Sequence, residues 1–262
     1  MTEQHFAVLG IGEAGSEISA DLAARGQMVL GYDIAEVEPP GGVTLVDAPT
    51  KAVADASVVL ALVPASESVA AARSTIPALG PNSLYADCSS GSPQLKRELA
   101  EMVAESGADF ADLTLMGTVS GRGLSTPAFA SGAGAQRLVE ILSPLGMPVK
   151  KVSDEPGAAA ERKLLRSVFV KGMTGAIVEA LEAARAAGCE DWLWSNVVAE
   201  LTGANEALAA RLVSGTYKHT RRRAEEMAAA EQLLEAMNVE PHVTRAVRTR
   251  LQQLVSETGQ YK

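Results

Sequence analysis

Short apolar runs alternate with longer stretches of mixed polarity over the first 155 residues. The longer stretches predict helices over 14–25, 66–76, 94–106 and 135–142. The apolar runs predict six strands, at Phe6–Leu9, Val29–Tyr32, Val58–Val63, Leu84–Ala86, Phe110–Leu115 and Val149–Val152. Strands separated by helices of this length are typical of βαβ units. This half of the chain is therefore predicted to form an α/β, doubly wound and mainly parallel sheet.

The pattern changes after Ser153–Gly157, where apolar positions begin to recur with helical spacing. Residues 158–187 contain no proline and predict one long helix, about 45 Å in length if unbroken. Further helices are predicted over 191–202, 205–213, 219–237 and 241–256. We therefore predict two domains, an α/β domain over residues 1–155 and an all-helical domain over 156–262, joined by the long helix.

The first predicted strand leads directly into a G-x-G-x-x-G sequence and a predicted helix, which is the context that a dinucleotide-binding turn requires. Its first glycine permits a tight turn, the second permits close approach of a pyrophosphate, and the third lets helix and strand pack. A glycine turn without a ligand is the alternative. The placement favours a Rossmann-type domain in which the cofactor contacts Gly10, Ile11, Gly12, Glu13, Ala14 and Gly15.

Asp33 ends the second predicted strand, where a carboxylate can accept hydrogen bonds from the 2′-hydroxyl of a ribose. The same carboxylate would repel a 2′-phosphate, and residues 34–36 include no arginine. We therefore expect NAD or NADP as the cofactor, with NAD favoured. Val63 and Pro64, at the end of a later strand, are predicted to bind the same cofactor.

Two later segments carry a resemblance to a known family. Asp87, Ser89 and Pro93 match a D-x-S-x-x-x-P stretch, and Gly157 and Lys163 match the first glycine and the lysine of a G-x-G-x-x-x-K-x-x-N-N helix. Over nearly its whole length the chain resembles the β-hydroxyacid dehydrogenase superfamily, which includes 3-hydroxyisobutyrate and 6-phosphogluconate dehydrogenases. The resemblance implies that Lys163 is the general acid/base for hydride transfer at a β-hydroxyl.

The substrate half of the chain departs from that family pattern. The family's second helix glycine is Ala159 here, and its two asparagines are Arg166 and Ser167. Its substrate loop, D-A-P-V-S-G-G, reads Asp112–Thr118, with Met116 in place of the serine that holds a carboxylate. The cofactor half is therefore intact and the substrate half is rewritten, so a plain 3-hydroxy acid is not implied as the substrate.

The long helix offers groups for proton transfer. Lys163 can take the proton of a substrate hydroxyl if burial or nearby positive charge lowers its pKa. Ser167, four residues later, lies on the same helical face and could bond the same oxygen, so both are predicted to be catalytic. The alternative is that Lys163 and its neighbour Arg166 are solvated charges on an amphipathic helix.

Several residues at strand ends or in the helical half are candidates for substrate binding. Open α/β sheets bind ligands at the carboxyl ends of their strands, although a serine before a helix can also act as its cap. A histidine beside three arginines in the helical half either lies on a solvated surface or closes the active site, which could be that of a neighbouring subunit. The predicted substrate contacts are Ser89, Met116, Gly117, Thr118, Arg166 and His219.

Composition and charge limit the classes of partner and ligand that the chain is expected to bind. A net charge of −9 argues against broad nucleic-acid binding. The two cysteines are far apart and form no disulfide framework, and with three scattered histidines they give no metal-ligand spacing, so no metal is expected. The first residues lack the basic start and apolar run of a signal peptide, and residues 57–65 are too few to cross a bilayer. We expect a cytoplasmic protein that binds no membrane.

These observations together predict an NAD(P)-dependent oxidoreductase that transfers a hydride between a nicotinamide cofactor and a small polar or anionic hydroxy or oxo compound. An imine reductase of the same architecture and a non-catalytic NAD(H)-sensing protein are the alternatives. A homodimer formed through the helical domain is expected. The substrate, the direction of the reaction and any later decarboxylation are left open by the sequence.

Overall fold

The structure, a computed structural model, describes residues 4–259 of the chain. The chain forms two compact units, an α/β unit that ends at Leu165 and a helical unit that begins at Arg166. The first turns of the long helix are part of the α/β unit. The domain boundary predicted at residue 155 stays a prediction.

The α/β unit is built on one eight-stranded sheet with the strand order β3-β2-β1-β4-β5-β6-β7-β8. Strands β1 to β6 run parallel, β7 runs antiparallel to β6, and β8 runs parallel to β7. The strand order reverses beside β1, which is where doubly wound sheets bind ligands. The strands are β1 (His5–Leu9), β2 (Met28–Tyr32), β3 (Thr44–Leu45), β4 (Val58–Ala61), β5 (Leu84–Asp87), β6 (Asp109–Leu115), β7 (Ala128–Ser131) and β8 (Val149–Ser153).

The predicted α/β class and mainly parallel sheet are confirmed, and two strands were missed. β3 has only two residues, and β7 has only four, Ala-Phe-Ala-Ser, with no clear alternation of apolar and polar positions. The strand predicted over Val58–Val63 ends at Ala61. The omission of β7 matters because this strand reverses the direction of the chain before the long helix.

Helices cover both faces of the sheet. One face carries α1 (Glu13–Ala24) and α5 (Ala135–Leu142), which pack through Ile18, Leu22, Leu138 and Leu142 onto buried residues of seven strands. The other face carries α2 (Pro49–Val53), α3 (Ser68–Thr75) and α4 (Pro93–Ala104). Successive strand residues point to opposite faces, so β4, with all four residues buried, serves both cores. Short 3₁₀ turns follow at Ile76–Ala78 and Gly123–Ser125.

The long helix α6 spans Ala158–Ala186 and confirms the predicted element. The helical unit continues with α7 (Glu190–Thr202), α8 (Glu206–Lys218), α9 (Thr220–Ala236) and α10 (His242–Gly259). α8 extends beyond its predicted end at residue 213 and continues through Ser214 and Gly215 to Lys218. Within the described range, no helix has the length and apolar content needed to cross a bilayer.

A carboxylate of α6 fixes the start of α10 inside the helical unit. Glu179 accepts hydrogen bonds from the backbone N–H groups of Val243 (2.6 Å) and Thr244 (2.8 Å), and from the Thr244 hydroxyl (2.7 Å). Burial opposes the charge, but these hydrogen bonds outweigh it and lower the pKa of Glu179. The arrangement satisfies free N–H groups at a helix N-terminus with a negative charge.

Candidate functional site

The glycine turn has an open space where a phosphate would bind. A Cβ built on Gly12, at the N-terminus of α1, would meet no atom within 4 Å. Gly10 has a φ of +88°, and a Cβ there would lie 2.7 Å from the backbone oxygen of Leu62. A Cβ on Gly15 would collide with the backbone of Gly10, so this glycine permits the close packing of α1 on β1. Each glycine therefore has the geometry that the motif predicts.

Asp33 is fixed at the end of β2 by the backbone of two segments. Its Oδ2 accepts from the N–H of Ile11 at 2.6 Å, and its Oδ1 accepts from the N–H of Ala35 at 2.9 Å. A carboxylate offers about four acceptor sites, so further hydrogen bonds to a ligand remain possible. The contact with Ile11 ties the carboxylate directly to the glycine turn.

A cavity of about 410 Å³ opens beside the glycine turn. Two predicted cofactor residues, Val63 and Pro64, contribute to its wall after β4. The charged side chains among the lining residues are Asp33 and Glu67, and both are acidic. The lining residues are Leu9, Gly10, Gly12, Tyr32, Asp33, Ile34, Pro49, Leu62, Val63, Pro64, Glu67, Ala70, Ala71 and Ser74. Ile11, Glu13, Ala14 and Gly15 belong to the turn and helix beside the cavity but do not line it.

A lysine is completely buried beneath the next strand end along the sheet. Lys96 of α4 forms ion pairs with Asp87 of β5 and, at 3.2 Å, with Asp112 of β6, and all three side chains are fully excluded from solvent. The ammonium also donates to the backbone oxygens of Asp87 (3.0 Å) and Ser89 (2.9 Å). Burial disfavours the charged amine, but the two carboxylates prevail and raise the pKa of Lys96. The ammonium therefore remains protonated.

The buried carboxylate of Asp112 holds the start of α6. Its Oδ2 accepts from the N–H of Ala160 at 2.9 Å and from the hydroxyl of Ser131 at 3.2 Å. The Ser131 oxygen accepts in turn from the N–H of Ala159 at 3.0 Å. Two free N–H groups of the first turn are thereby satisfied by residues of the sheet, and a negative charge lies at the positive end of the helix.

Gly157 brings the start of α6 close to the start of α4. Its φ is +90°, and a Cβ there would lie 2.6 Å from the backbone oxygen of Pro93 and 2.9 Å from its Cα. The D-x-S-x-x-x-P stretch and the glycine before the long helix are therefore in direct contact. The contact explains why a glycine stands at position 157.

Lys163 lies on the second turn of α6, at the loop that follows β5. Its Nζ donates to the Ser90 hydroxyl at 2.8 Å. Lys163 is half-buried, and Ser90 is exposed. The adjacent predicted residue, Ser89, is buried and donates to Asp87 Oδ1 at 2.6 Å. The loop therefore presents Ser90 to Lys163, while Ser89 belongs to the buried charged cluster.

Met116, Gly117 and Thr118 begin the loop at the carboxyl end of β6, which is the same edge of the sheet. Two carboxylates of α1 hold this loop. Glu17 accepts from the N–H of Gly121 at 3.0 and 3.2 Å, and Asp21 accepts from the N–H of Leu124 at 2.9 Å. The loop that was predicted to bind substrate is thus attached to the helix of the glycine turn.

The other predicted site residues lie in the helical unit. Arg166 and Ser167 continue α6, where Arg166 is exposed and Ser167 is half-buried, and His219 is exposed at the junction of α8 and α9. The roles predicted for Ser89, Arg166, Ser167 and His219 stay predictions. Among the described residues, no group of histidine, cysteine or acidic side chains could hold a metal ion. Cys88 is buried, and burial raises the pKa of its thiol, which argues against a nucleophilic role.

Several residues of this arrangement were not identified from the sequence, namely Glu17, Asp21, Ser90, Lys96 and the capping role of Asp112. A lysine in an amphipathic helix is typical of a solvated face, so Lys96 gave no signal. Ser90 directly follows the predicted Ser89, and the D-x-S motif draws attention to Ser89 rather than to its neighbour. The one available clue to the buried cluster was that neighbouring parallel strands would place Asp87 beside Asp112.

Comparison with known proteins adds two family matches. Residues 5–152 match the NAD binding domain of 6-phosphogluconate dehydrogenase. Residues 184–254, within the helical unit, match a domain of unknown function, DUF1932. The first match covers the whole sheet up to the last strand.

Individual relatives are distant. An uncharacterised 28.5 kDa protein of Methanothermus fervidus is 27% identical over 60% of this chain, and the match spans 61% of that relative. A probable 3-hydroxyisobutyrate dehydrogenase of Mycobacterium tuberculosis is 28% identical over 76% of this chain and 70% of the relative. A solved imine reductase from Myxococcus stipitatus, in complex with NADP+, has a TM-score of 0.84 at 19% identity and covers 96% of this chain and 94% of that one. The last similarity concerns the fold alone.

Proposed function

This chain belongs to the family of the NAD binding domain of 6-phosphogluconate dehydrogenase, within the β-hydroxyacid dehydrogenase superfamily, and we propose that it is an NAD(P)-dependent oxidoreductase with Lys163 as its general acid/base. The substrate is a small polar or anionic hydroxy or oxo compound. The observation that carries the proposal is the 2.8 Å hydrogen bond between Lys163 and Ser90, at the strand end next to the cofactor cavity. An amine held at this edge supports a role in proton transfer to a bound substrate.

The residues present fit a dinucleotide. The open space at Gly12 leaves room for a pyrophosphate at the N-terminus of α1, and the Asp33 carboxylate, held beside the glycine turn by Ile11, would accept from a ribose hydroxyl. When bound, the nicotinamide would accept or supply the hydride. Gly10, Gly12, Asp33, Val63 and Pro64 would hold the cofactor from the cavity wall.

NAD is the proposed cofactor in preference to NADP. The charged side chains that line the cavity, Asp33 and Glu67, are both carboxylates, and no lysine or arginine is among the lining residues. A 2′-phosphate carries negative charge and would need a cation there. The solved imine reductase in complex with NADP+ is a relative in fold only, so its cofactor does not decide the question.

Lys163 would hold the proton that is exchanged with the substrate oxygen. In oxidation the neutral amine takes the hydroxyl proton as the hydride leaves the carbon, and in reduction the ammonium returns it. Ser90 orients the amine through the observed hydrogen bond. Ser167 follows one helical turn later on the same face of α6, which suits a second contact with the same substrate oxygen.

The test is the variant Lys163→Ala, with Lys150→Ala, an exposed lysine of the same unit, as the matched control. Wild-type protein is first screened with NAD+ and NADP+ against small hydroxy acids, including 3-hydroxyisobutyrate and 6-phosphogluconate, and with the reduced cofactors against cyclic imines. Lys163→Ala should then lose about 10²–10⁴-fold in kcat on the substrate found, with the Kd for NADH unchanged. Lys150→Ala should behave as wild type.

Normal turnover by Lys163→Ala would refute the assignment of the general acid/base. Activity confined to imines would favour an imine reductase, and NADH binding without any turnover across the panel would favour a sensor. A tighter Kd for NADP+ than for NAD+ would refute the argument from Asp33.

We also propose a homodimer formed through the helical unit. α7 and α8 contain no buried residue, although they carry large apolar side chains, with Trp192 and Trp194 exposed by 66% and 55%. Apolar surface on this scale is typical of a protein–protein interface. Light scattering coupled to gel filtration should give twice the chain mass of 27.2 kDa, and a monomer would contradict the proposal. The cytoplasmic location expected from the sequence stays a prediction.

A further inference from the structure

We propose that Lys96 is a positioning residue that sets the distance between Lys163 and Ser90, acting through Asp112 on one side and the loop after β5 on the other. This inference rests on the proposed role of Lys163. Lys96 is fully buried in α4 and contacts neither the cavity nor the amine of Lys163 by any hydrogen bond found among the described residues. Its influence on the site is therefore indirect.

One side of the ammonium organises the loop that carries Ser90. Lys96 donates to the backbone oxygens of Asp87 and Ser89, at 3.0 and 2.9 Å, and pairs with Asp87 Oδ1. Three acceptors within three consecutive residues are thus gathered around one cation. The peptide between Ser89 and Ser90 is fixed by this contact, and the hydroxyl of Ser90 follows it.

The other side of the ammonium holds the helix that carries Lys163. Lys96 pairs with Asp112 Oδ1 at 3.2 Å, and Asp112 Oδ2 accepts from the N–H of Ala160 at 2.9 Å. Lys163 follows Ala160 by three residues, which is less than one helical turn. The loop is therefore bound directly by the buried cation, and the helix start is connected to the same cation through Asp112.

The two carboxylates around Lys96 require a cation at position 96. Two carboxylates lie close together in a site without solvent, and a neutral side chain at position 96 would leave their charges uncompensated. Asp87 Oδ2 is also buried and accepts no hydrogen bond from the described residues, so Asp87 depends on Lys96 and Ser89 for its stabilisation. A hydrocarbon side chain of similar length could fill the space but could not hold the two segments together.

The decisive variant is Asp112→Asn, because Lys96→Met is expected to unfold the protein. The asparagine oxygen can still accept from Ala160, while its amide no longer attracts the ammonium, so the link to Lys96 is broken and the helix cap is kept. The matched control is Thr114→Val. Thr114 is buried, and its hydroxyl donates to the same carboxylate at 2.9 Å, but it lies on neither path to Lys163 or Ser90.

Two measurements are made on each variant. The first is kcat and KM on the substrate identified for wild type, together with the Kd for NADH. The second is the ¹³C NMR spectrum after reductive methylation of lysines, with the Lys163 resonance assigned from Lys163→Arg. Methyl groups on an amine held by a fixed hydrogen bond give separate resonances, and those on a mobile amine average to one.

We expect Asp112→Asn to lower kcat on the order of 10- to 100-fold, with KM and the Kd for NADH changed less than about twofold. The resolved Lys163 resonances should merge. Thr114→Val should lower Tm and leave kcat and the Lys163 resonances as in wild type. Should Asp112→Asn not fold, Ser131→Ala removes a link between the sheet and Ala159 and is judged by the same two measurements.

Wild-type kcat and wild-type Lys163 resonances in Asp112→Asn would overturn the proposal, and so would an equal loss of kcat in Thr114→Val. Failure of the proposed function is a separate result. Normal turnover by Lys163→Ala would remove the catalytic role of that amine, and the NMR comparison would still decide whether Lys96 and Asp112 position it.

Discussion

Replacement of Gly157 by alanine tests whether the contact between α4 and α6 is as tight as described. Gly157 has a φ of +90°, a conformation that costs an L-residue roughly 1–2 kcal/mol. Its new Cβ would also lie 2.6–3.1 Å from three backbone atoms of Pro93, and overpacking of this kind typically costs about 1–3 kcal/mol. The expected loss in the free energy of unfolding is therefore roughly 2–5 kcal/mol.

For a chain of this size, each kcal/mol corresponds to roughly 2–4 °C in Tm, so Gly157→Ala should lower Tm by roughly 4–20 °C. Thermal unfolding is followed by circular dichroism with and without NADH. The matched control is Gly172→Ala in the same helix, where a Cβ would meet nothing within 4 Å. Because alanine is a better helix former than glycine, this control should gain about 0.5–1 kcal/mol.

A Gly157→Ala protein as stable as wild type would refute the reasoning, because neither the backbone strain nor the overlap with Pro93 could then be present. Equal destabilisation by Gly172→Ala would also refute it, since the loss would then belong to α6 in general. The expected pattern is a change of opposite sign in the two variants.

Three further predictions concern charge and reactivity. Asp33→Asn should shift the ratio of the Kd values for NADP+ and NAD+ towards NADP+ on the order of tenfold, as measured by fluorescence titration, and Glu36→Gln should leave the ratio unchanged. Glu179→Gln should lower the free energy of unfolding by about 1–2 kcal/mol at pH 7. The pKa of Glu179 is lowered from its ordinary 4.5 in the folded chain, so its stabilisation is present above that pH and lost below it, and urea titrations should show the variant and wild type converging as pH falls. In the folded protein a thiol reagent should modify Cys189, which is exposed, and should reach Cys88 only after unfolding; rapid reaction at both would contradict the described burial.

Much of the α/β unit follows from local sequence, because glycine spacing, strand runs and helix periods are local signals. The G-x-G-x-x-G turn and Asp33 fall where the motif predicts, and the structure supplies the link between them, a hydrogen bond from Ile11 to the Asp33 carboxylate. Lys163 was found through its resemblance to a family motif. Its partner Ser90 was not, because the choice between two adjacent serines depends on which way the loop turns after β5.

The buried cluster could not be predicted from any single segment. Lys96 stands in a helix with alternating charges, and its burial results from the pairing of β5 with β6, which places Asp87 beside Asp112. The missed strand β7 has the same cause. It is defined by its antiparallel pairing with β6 and supplies Ser131 to the start of α6. Both features depend on contacts between distant parts of the chain, and the periodicity of apolar residues within one segment carries no information about such contacts.

The attachment of the β6 loop to α1 has a consequence for how such a protein can acquire new substrates. Glu17 and Asp21 bind the main chain at Gly121 and Leu124, and make no use of the side chains in between. Replacements at Thr118, Ser120 or Arg122 therefore leave the hydrogen bonds of Glu17 and Asp21 in place. An inserted or deleted residue between 121 and 124 would break the hydrogen bonds of one of these two carboxylates. Gly123 is fixed as well, because its φ is +47° and a Cβ there would collide with the Asp21 carboxylate. Side chains at 118, 120 and 122 can therefore vary in chemistry while the length of the loop is kept, which makes these three positions a suitable place to begin a library for altered selectivity.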